Sequence, residues 1–377
     1  MKIEQFKSGH RTQRYRYKSF EPTKINCEWT WDDPTVSALL EKAAGNLGEL
    51  NAFSLIVPDV DLFIEMHVAK EAQTSSRIEG TQTGMDEVLL SEEQIQPEKR
   101  NDWREVRNYI EAISTAIKTL DKLPLSNRLI KKTHSLLMQG VRGEKKTPGE
   151  FRISQNWIGG SGLTDAAFIP PHSDNVPELM GDLESFWHNE KITTPHLIRA
   201  AISHYQFETI HPFLDGNGRI GRLLIPLYLI DHGVLAKPSL YLSDFFDRNR
   251  GSYYDALTKV RESNDLLHWV RFFLSGVEET AKKGSRIFNE ILKLRALKEK
   301  KIFRMGKRSG SAKILLDQLF RRPAINASDV REMLSISAPS ANALIKAFIE
   351  ADILKETTGR ARKRIFLFAE YLDLFMN

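Results

Sequence analysis

Long segments free of glycine and proline constrain this chain more than any other feature of its sequence. From Asn101 to Leu120, NDWREVRNYIEAISTAIKTL begins with an Asn/Asp capping signal and carries an apolar stripe at helical spacing from Val106 to Ile117. The segment from Pro58 to Arg77 follows the same pattern. Further helices are predicted over residues 126–140, 176–189, 195–208 and 218–233, with a kink in the last at Pro226. The sequence therefore predicts an all-α fold.

The region from Val141 to Asp174 departs from this helical pattern. It is rich in Gly, Pro, Ser and Asn, and short β-prone pieces flank GGSG at residues 159–162. Such a pattern is typical of a β-hairpin, so we expect a small hairpin flap that projects from the helices.

The chain beyond Asn264 predicts a second helical unit. A helix is expected to end near Lys283, a basic helical stretch to continue to about Arg308, and GKRSGSAK to form a linker. Residues 312–377 then read as three helices, AKILLDQLF, NASDVREML and APSANALIKAFIEADIL, followed by KETTGRARKRIFLF as a two-stranded wing. This order is that of a winged helix-turn-helix domain.

Composition excludes several classes of protein. Of 377 residues, 41% are hydrophobic and 27% charged, which is the balance of a globular protein of two or three domains and not of a disordered chain. Cys27 is the only cysteine, so an intrachain disulfide and a cysteine-rich zinc site are excluded. The longest apolar run, Leu223 to Ile230, is far below the roughly 20 residues that cross a bilayer. We expect a cytoplasmic protein without a membrane partner.

One dozen residues, HPFLDGNGRIGR from His211 to Arg222, combine groups that suit phosphate chemistry. Gly216 and Gly218 allow a tight turn whose N–H groups, at the start of a helix, form an anion-binding nest. Arg219 and Arg222 are three residues apart, so in a helix they share a face and can clamp further phosphate oxygens. The net charge of +5 agrees with a phosphate-bearing partner.

The residues before the glycines supply the remaining chemistry. Asp215 is a hard oxygen ligand that suits Mg²⁺ bound to two phosphates, and His211 can act as a general base near neutral pH. Together these groups indicate transfer of a nucleotide or phosphoryl group. The structural alternative is that His-Pro forms an ordinary turn and Gly-Asn-Gly an ordinary loop at the start of a helix.

The same dozen residues resemble the signature of the Fic family, His-Pro-Phe-x-(Asp/Asn)-Gly-Asn-Gly-Arg-x-x-Arg, without a departure. The surrounding helices, residues 111–281, are similar to the all-α core of that family. Most Fic enzymes transfer AMP from ATP to a hydroxyl of a protein side chain and release pyrophosphate. The resemblance implies a protein adenylyltransferase that uses ATP as co-substrate and Mg²⁺ as cofactor.

The resemblance also implies roles for individual residues. His211 would deprotonate the Tyr, Thr or Ser hydroxyl of the target, and Asp215 would hold Mg²⁺ against the α- and β-phosphates. The phosphates would be bound by Gly216, Asn217, Gly218, Arg219 and Arg222. The flap would dock the target backbone and close over the nucleotide through Thr164, Asp165, Ala166, Ala167 and Phe168. Tyr253 would lie against the adenine, whereas Arg261 replaces an asparagine of some relatives, which leaves that adenine contact open.

A second motif, SSRIEGT, resembles the inhibitory helix of the family, (Ser/Thr)-x-x-x-Glu-(Gly/Asn). Its residues here are Ser75, Glu79 and Gly80. In relatives this glutamate pairs with the second arginine of the signature, which is Arg222 here. A carboxylate on Arg222 would occupy the place of the γ-phosphate and repel it, so ATP would bind without its α-phosphate in line. A solvated helix end is the alternative interpretation of this short motif.

These predictions divide the chain into four parts: an N-terminal helical region with the inhibitory helix (1–110), the catalytic core (111–281), a basic connecting helix and linker (282–309) and the winged helix (310–377). The protein substrate is unidentified, and autoadenylylation and homodimer formation are expected. DNA is a possible partner of the winged helix, through Ser337, Ser340, Asn342 and Lys346 of its third helix and Arg360, Arg362, Lys363 and Arg364 of its wing.

Three alternative functions stay open at this point. A relative of the family could transfer a different group, as a kinase-like member would. Glu79 could orient a water molecule, so that removal of AMP is also possible. From a different class, the chain could be a DNA-binding regulator whose Fic-like core only senses a nucleotide.

Overall fold

The computed structural model describes residues 1–56, 60–357 and 364–376. The predicted all-α fold class is confirmed, because most of the described chain is helical and its strands form only small antiparallel sheets. The helices that precede the signature are α1 (Pro34–Ile56), α2 (Val60–Ile78), α3 (Met85–Val88), α4 (Arg100–Leu120), α5 (Asn127–Leu137), α6 (Val176–His188) and α7 (His196–Ile210). Those that follow are α8 (Asn217–Asp231), α9 (Ser243–Arg248), α10 (Arg250–Ser263), α11 (Leu266–Phe303), α12 (Ser309–Arg321), α13 (Ala327–Leu334), α14 (Ala338–Glu350) and α15 (Ala369–Met376).

The strands lie at the two ends of the chain. They are β1 (Gly9–Gln13), β2 (Lys18–Pro22), β3 (Ala324–Ile325), β4 (Lys355–Glu356) and β5 (Phe366–Leu367). β1 and β2 form an antiparallel hairpin in which Arg11 faces Phe20, and the C-terminal sheet has the order β3-β5-β4. The N-terminal hairpin was not predicted, because residues 1–110 were described only as a helical region.

The structure corrects the prediction for the segment after Asn264. The expected helix end near Lys283 is absent, since α11 is 38 residues long and runs past Lys283 to Phe303. Gly284 lies inside this helix because α1 packs against it: a Cβ at Gly284 would come within 2.9 Å of Leu50 Cδ1. The expected linker is also helical from Ser309 onward. The predicted domain boundary at residues 281/282 therefore lies within a continuous helix.

The start of α4 is also corrected. The Asn/Asp signal does not cap it, because the helix begins after Lys99 without a side-chain capping bond. The Asp102 carboxylate instead accepts hydrogen bonds from Gln82 N and from Arg142. A capping signal in the sequence thus serves a tertiary contact between the segment after α2 and the loop after α5.

The helix α2 links the C-terminal segment to the core. Near its start, the Phe63 ring lies edge-on to Phe320 of α12 at 5.7 Å and to Phe288 of α11 at 6.5 Å. One turn later His67 stacks on Phe288 and contacts Phe375 of α15. At its other end α2 carries the predicted inhibitory motif.

The C-terminal segment contains α12, α13, α14 and the small sheet, and then α15, which was not predicted. Four residues named for DNA contact, Ser337, Ser340, Asn342 and Lys346, are exposed. Arg364 lies over the Phe366 ring at 5.7 Å, whereas Arg360, Arg362 and Lys363 lie outside the described residues. The interpretation as a winged helix stays a prediction.

None of the helices within the described ranges combines the length and the apolar character that crossing a membrane requires.

Candidate active site

The signature forms the connection between α7 and α8. His211 ends α7 in the left-handed conformation, with φ 50° and ψ 61°, and Gly216 starts α8 with φ 75° and ψ 6°. Asn217 closes the loop between them, because its Oδ1 accepts from Phe213 N and its Nδ2 donates to Phe213 O, both at 2.8 Å. The side chain of Asn217 therefore holds the loop, and only its backbone N–H is left to face a phosphate.

The first turn of α8 provides the expected nest geometry. The N–H groups of residues 217–219 precede the first helical hydrogen bond, which runs from Ile220 N to Gly216 O. Gly216 has a left-handed backbone, and a Cβ there would come within 2.9 Å of Met138 Sδ. The local structure thus leaves three amide donors at a helix N-terminus, which is a ready anion site.

The backbone of His211 is held by two residues that the sequence did not single out. Its carbonyl accepts from Arg152 Nε at 2.9 Å and from Asn156 Nδ2 at 3.1 Å. Arg152 is buried and donates also to the carbonyls of Ser154 and Pro171. These residues fix the position of the imidazole through its main chain.

The surroundings of His211 keep its imidazole in the neutral form. Burial, together with the positive charges of Arg261 and Arg152, lowers the pKa of His211 to about 3, so the ring is neutral at pH 7. Its Nδ1 is buried and has no hydrogen-bond partner within the described ranges. A general base at this position needs a neutral ring, and the surroundings supply one.

Asp215 is held in place from both sides. Its Oδ1 accepts from Gly216 N at 2.7 Å, its Oδ2 accepts from Lys146 at 3.0 Å, and its carbonyl accepts from His134 Nε2 at 2.9 Å. Burial would raise the pKa of Asp215, but Lys146, the Gly216 N–H and Arg219 hold that pKa below its ordinary value. The carboxylate is therefore ionised at neutral pH, as a ligand of a hard cation must be.

His134 and Lys146 were missed by the sequence analysis. The His134 ring stacks on Phe213 at 3.8 Å, and its Nδ1 accepts from Gly149 N at 2.8 Å. Burial lowers the pKa of His134 to about 4, so the neutral ring donates through Nε2 to Asp215 O. No local sequence pattern marks these contacts, because they join α5 and the following loop to the signature.

The predicted inhibitory motif lies on Arg222. The guanidinium donates to Ser75 Oγ at 2.8 Å, to Ser75 O at 2.9 Å and to Glu79 Oε1 at 2.7 Å. Burial would raise the pKa of Glu79, but the charge and hydrogen bond of Arg222 hold it below its ordinary value. The Arg222 side chain is 2% exposed and that of Glu79 is 36% exposed. The ion pair therefore lies at the edge of the site, with the carboxylate on its open side.

The absence of a side chain at Gly218 allows the Glu79 carboxylate to lie close to α8. A Cβ at Gly218 would come within 2.3 Å of Glu79 Oε1 and 3.0 Å of Arg222 Nη1. The carboxylate thus lies directly against the first turn of α8, where the amide nest is. Gly80, the last residue of the motif, has φ 103°, which a glycine adopts without strain as the chain leaves α2.

Arg219 does not share the surroundings of Arg222. Its Nη1 donates to Glu105 of α4 at 3.2 Å, and its side chain is 4% exposed. Arg142 also pairs with Glu105, at 2.8 Å. The two arginines are three residues apart in one helix, as predicted, but each guanidinium pairs with an acid from a different part of the chain.

The flap is less regular than predicted. A single antiparallel bridge joins Ile158 to Phe168, with both backbone hydrogen bonds present, in place of a strand pair. The Asp165 carboxylate accepts from Ser161 N, Ser161 Oγ and Gly162 N, so it closes the turn of the flap itself. Thr164, Asp165 and Ala167 are exposed, and Ala166 is partly buried.

The base of the flap is tied to the signature through Arg261. Its guanidinium lies over the Phe168 ring at 4.1 Å and donates to Glu208 O at 3.0 Å and to Thr209 Oγ1 at 3.2 Å. Arg261 therefore connects α10, the flap and the last turn of α7. An adenine contact is not needed to explain its position.

The predicted adenine contact at Tyr253 stays a prediction, and the structure gives this side chain a buried place. Tyr253 is 1% exposed, stacks on Phe246 at 4.4 Å and bonds through its hydroxyl to His204 Nε2 at 2.9 Å. Its neighbour Tyr254 is 42% exposed. The spacing of Tyr253, Ala256, Leu257 and Val260 marks the buried stripe of α10 and was the signal that could have distinguished the two tyrosines.

Two sequence profiles match the chain. The profile of the Fic/DOC family matches residues 124–229, and that of the Fic/DOC family N-terminal region matches residues 37–118. The chain is 35% identical over 133 residues to the protein adenylyltransferases Fic of Drosophila erecta and Aedes aegypti. This match covers 35% of the chain and 24% of each relative, so the chain spans about a quarter of their length.

Solved structures share the fold. A Fic family protein from Desulfovibrio desulfuricans has a TM-score of 0.56 at 20% identity, over 89% of this chain and 96% of that one. A segment of Fic-1 from C. elegans has a TM-score of 0.52 at 21% identity, over 70% of this chain and 75% of that one. With the complete signature and both profiles, these likenesses lead to one conclusion: the chain belongs to the Fic/DOC family.

Proposed function

We propose that this chain is a self-inhibited protein adenylyltransferase. The observation that carries the proposal is the contact of Glu79 with Arg222 and Gly218, beside a histidine that is neutral at pH 7 and an amide nest at a helix N-terminus. The name that the insect relatives carry, protein adenylyltransferase, supports the same activity. ATP is then the co-substrate, and a protein hydroxyl is the acceptor.

In the proposed reaction the acceptor oxygen attacks the α-phosphorus of ATP. The hydroxyl proton passes to the imidazole of His211, the bond from the α-phosphorus to the bridging oxygen breaks, and pyrophosphate leaves. The N–H groups of residues 217–219 donate to phosphate oxygens as negative charge builds up. Because Arg152 and Asn156 fix the main chain of His211, the base needs little reorganisation.

Mg²⁺ suits this site through one carboxylate. Asp215 is ionised, and its Oδ2 is held by Lys146, a half-exposed side chain that can move away. Mg²⁺ is commonly bound by one or two carboxylates together with phosphate oxygens, so Asp215 would hold it with the nucleotide. When bound, the ion would neutralise charge on the phosphates.

The inhibition follows from charge and space. Arg222 cannot pair with a γ-phosphate while Glu79 holds it at 2.7 Å, and the carboxylate repels a phosphate that approaches Gly218. ATP would then bind with its α-phosphate out of line. Adenine would pack against Tyr254, the exposed tyrosine of α10.

Further predictions attach to this proposal. Autoadenylylation, removal of AMP, a homodimer, a winged helix that binds DNA and a cytoplasmic location are consistent with the chain, and each needs its own test.

The test uses ATP labelled at either the α- or the γ-phosphate, with Mg²⁺ and the Glu79→Gly protein. We expect α-label and no γ-label on protein, and we expect the α-label to disappear in Glu79→Gly/His211→Ala. Transfer of the γ-label would contradict the proposal in favour of a kinase-like reaction. No label from either position, with ATP bound in calorimetry, would favour nucleotide sensing without transfer.

A further inference from the structure

A small basic cleft lies between the N-terminal hairpin and the flap. Its volume is about 290 Å³, and it is lined on the hairpin side by Arg11, Arg16 and Lys18 and on the flap side by Leu163, Thr164 and Ala166. All three cations are exposed. The cleft lies beside the residues that we expect to dock the target.

The register of the hairpin separates two faces of opposite character. Arg11 stands opposite Phe20, and Lys18 opposite Gln13, so these side chains share the face that lines the cleft. Arg14 belongs to the other face, where it pairs with Glu21 at 3.0 Å. The hairpin thus neutralises the charge on one face and leaves it uncompensated on the face toward the flap.

Within the described ranges, no acid pairs with the three cations or lines the cleft. The residues that line the cleft include no carboxylate, and Arg11, Arg16 and Lys18 make no ion pair with a described residue. Asp165 is the acid of the flap turn, but it is not among the residues that line the cleft, and its carboxylate accepts hydrogen bonds from Ser161 and Gly162. The cleft therefore offers three cations to a ligand from outside.

The hairpin is fixed to the base of the flap. Phe20 N donates to Ile169 O at 2.9 Å, and the rings of Phe20 and Phe168 lie 5.6 Å apart. Tyr17 donates from its hydroxyl to Gln155 Oε1 at 3.3 Å. These contacts join the hairpin to both sides of the flap, so the backbone that carries the cations is held beside it.

We propose that this cleft binds an acidic segment of the protein substrate and selects acceptor hydroxyls that have Asp or Glu nearby. This inference rests on the proposed function and names its substrate class. Three cations beside an apolar flap wall match carboxylates on a peptide, and the small volume suits a few side chains. Continuity with the flap favours a protein over a nucleic acid.

The first test measures binding by fluorescence anisotropy. A labelled peptide with one Tyr and flanking Glu residues is compared with the same peptide carrying Gln, on the wild type, on Arg11→Glu/Lys18→Glu and on Lys132→Glu/Lys300→Glu. The last variant changes the net charge equally at two exposed lysines elsewhere in the chain. We expect about tenfold weaker binding of the acidic peptide to Arg11→Glu/Lys18→Glu alone, because two exposed ion pairs with the peptide are lost.

Equal weakening in both double variants would overturn the inference, since net charge alone would then explain binding. Equal affinity for the Glu and Gln peptides would overturn it too. Stronger competition by single-stranded DNA than by unlabelled acidic peptide would assign the cleft to nucleic acid instead. Thermal unfolding of each variant shows whether the fold is kept.

A second test separates this inference from the proposed function. In the Glu79→Gly protein, AMP transfer to the Glu peptide is expected to have about tenfold higher kcat/KM than transfer to the Gln peptide, and the Arg11→Glu/Lys18→Glu change should remove the difference. AMP transfer at equal rates to both peptides would refute the inference and keep the function. Absence of transfer to any peptide or to the protein itself would refute the function, while anisotropy still decides the docking.

Discussion

The signature loop and the flap lie side by side, but they are held in opposite ways. Side chains of four residues, His134, Arg152, Asn156 and Asn217, bind the backbone of the loop. The flap has one backbone bridge and one carboxylate that closes its turn. The signature loop carries the groups proposed for catalysis, which need fixed positions. The flap carries the residues proposed to contact a variable protein partner.

The largest effect is expected when the hydrogen bonds that hold the signature loop are removed. Asn217→Ala removes both hydrogen bonds to Phe213. The buried Phe213 N–H is then left unpaired, whereas Phe213 O keeps its bond from Asn156 Nδ2. One unsatisfied donor and one lost bond should together cost about 2–4 kcal/mol of unfolding free energy. Urea unfolding measures this loss. The matched control is Thr164→Ala on the exposed flap, which should change the free energy by less than about 0.5 kcal/mol. Equal losses would mean that the two regions are not held differently.

A smaller effect is expected where the two regions meet. Arg261→Gln removes the guanidinium from the Phe168 ring and from Glu208 O, so the flap loses its tie to α7. In the Glu79→Gly protein we expect about five- to tenfold lower kcat/KM for the protein acceptor, in line with roughly 1–1.4 kcal/mol. The affinity for ATP should not change. If calorimetry shows weaker ATP binding, Arg261 contacts the nucleotide and its role is not confined to the flap.

The smallest effect concerns a buried carboxyl beneath the loop. Burial raises the pKa of Glu208 to about 7, and its Oε1, which lies against Gly221, has no hydrogen-bond partner in the described part of the chain. Between the unfolded pKa of about 4.3 and the folded value, the native state holds one more proton than the unfolded state. Stability should therefore fall as pH rises from about 4.3 to 7.

Glu208→Gln should remove this slope. At pH 8 we expect the melting temperature of this variant to exceed that of the wild type by a few degrees. Near pH 4 the two melting temperatures should match. The control Glu41→Gln, at an exposed position on α1, should follow the wild type at both pH values. A slope that survives Glu208→Gln would assign the pH dependence to another group.

Sequence patterns predicted the site better than its surroundings. The signature and the inhibitory motif each lie within a dozen residues, so their spacing could be read directly, and the structure brings Ser75 and Glu79 onto Arg222. His134, Lys146 and Arg152 act through tertiary contacts with the loop, and such contacts leave no local pattern. The two arginines of the signature share spacing but not hydrogen-bond partners, because Glu105 lies on α4 whereas Glu79 directly follows α2.

Helix positions followed the apolar periodicity, whereas helix ends and short strands did not. Gly284 suggests a break, but the close approach of α1 requires a glycine within α11. The N-terminal hairpin is short and basic, so its composition does not predict strands. Its contact with the flap helps to hold it. Tyr253 and Tyr254 are adjacent in α10, but the first side chain is buried and the second is exposed.

The most direct test of the account is the rate of AMP transfer by Glu79→Gly relative to the wild type, at saturating ATP and Mg²⁺. The account predicts an increase of roughly 10- to 100-fold, because the variant frees Arg222 from a charged hydrogen bond worth about 1.5–3 kcal/mol and clears the surface of Gly218. Glu105→Gln, which alters the pair with Arg219, should give no such increase. Equal rates for Glu79→Gly and the wild type would contradict the claim that Glu79 holds this site inactive.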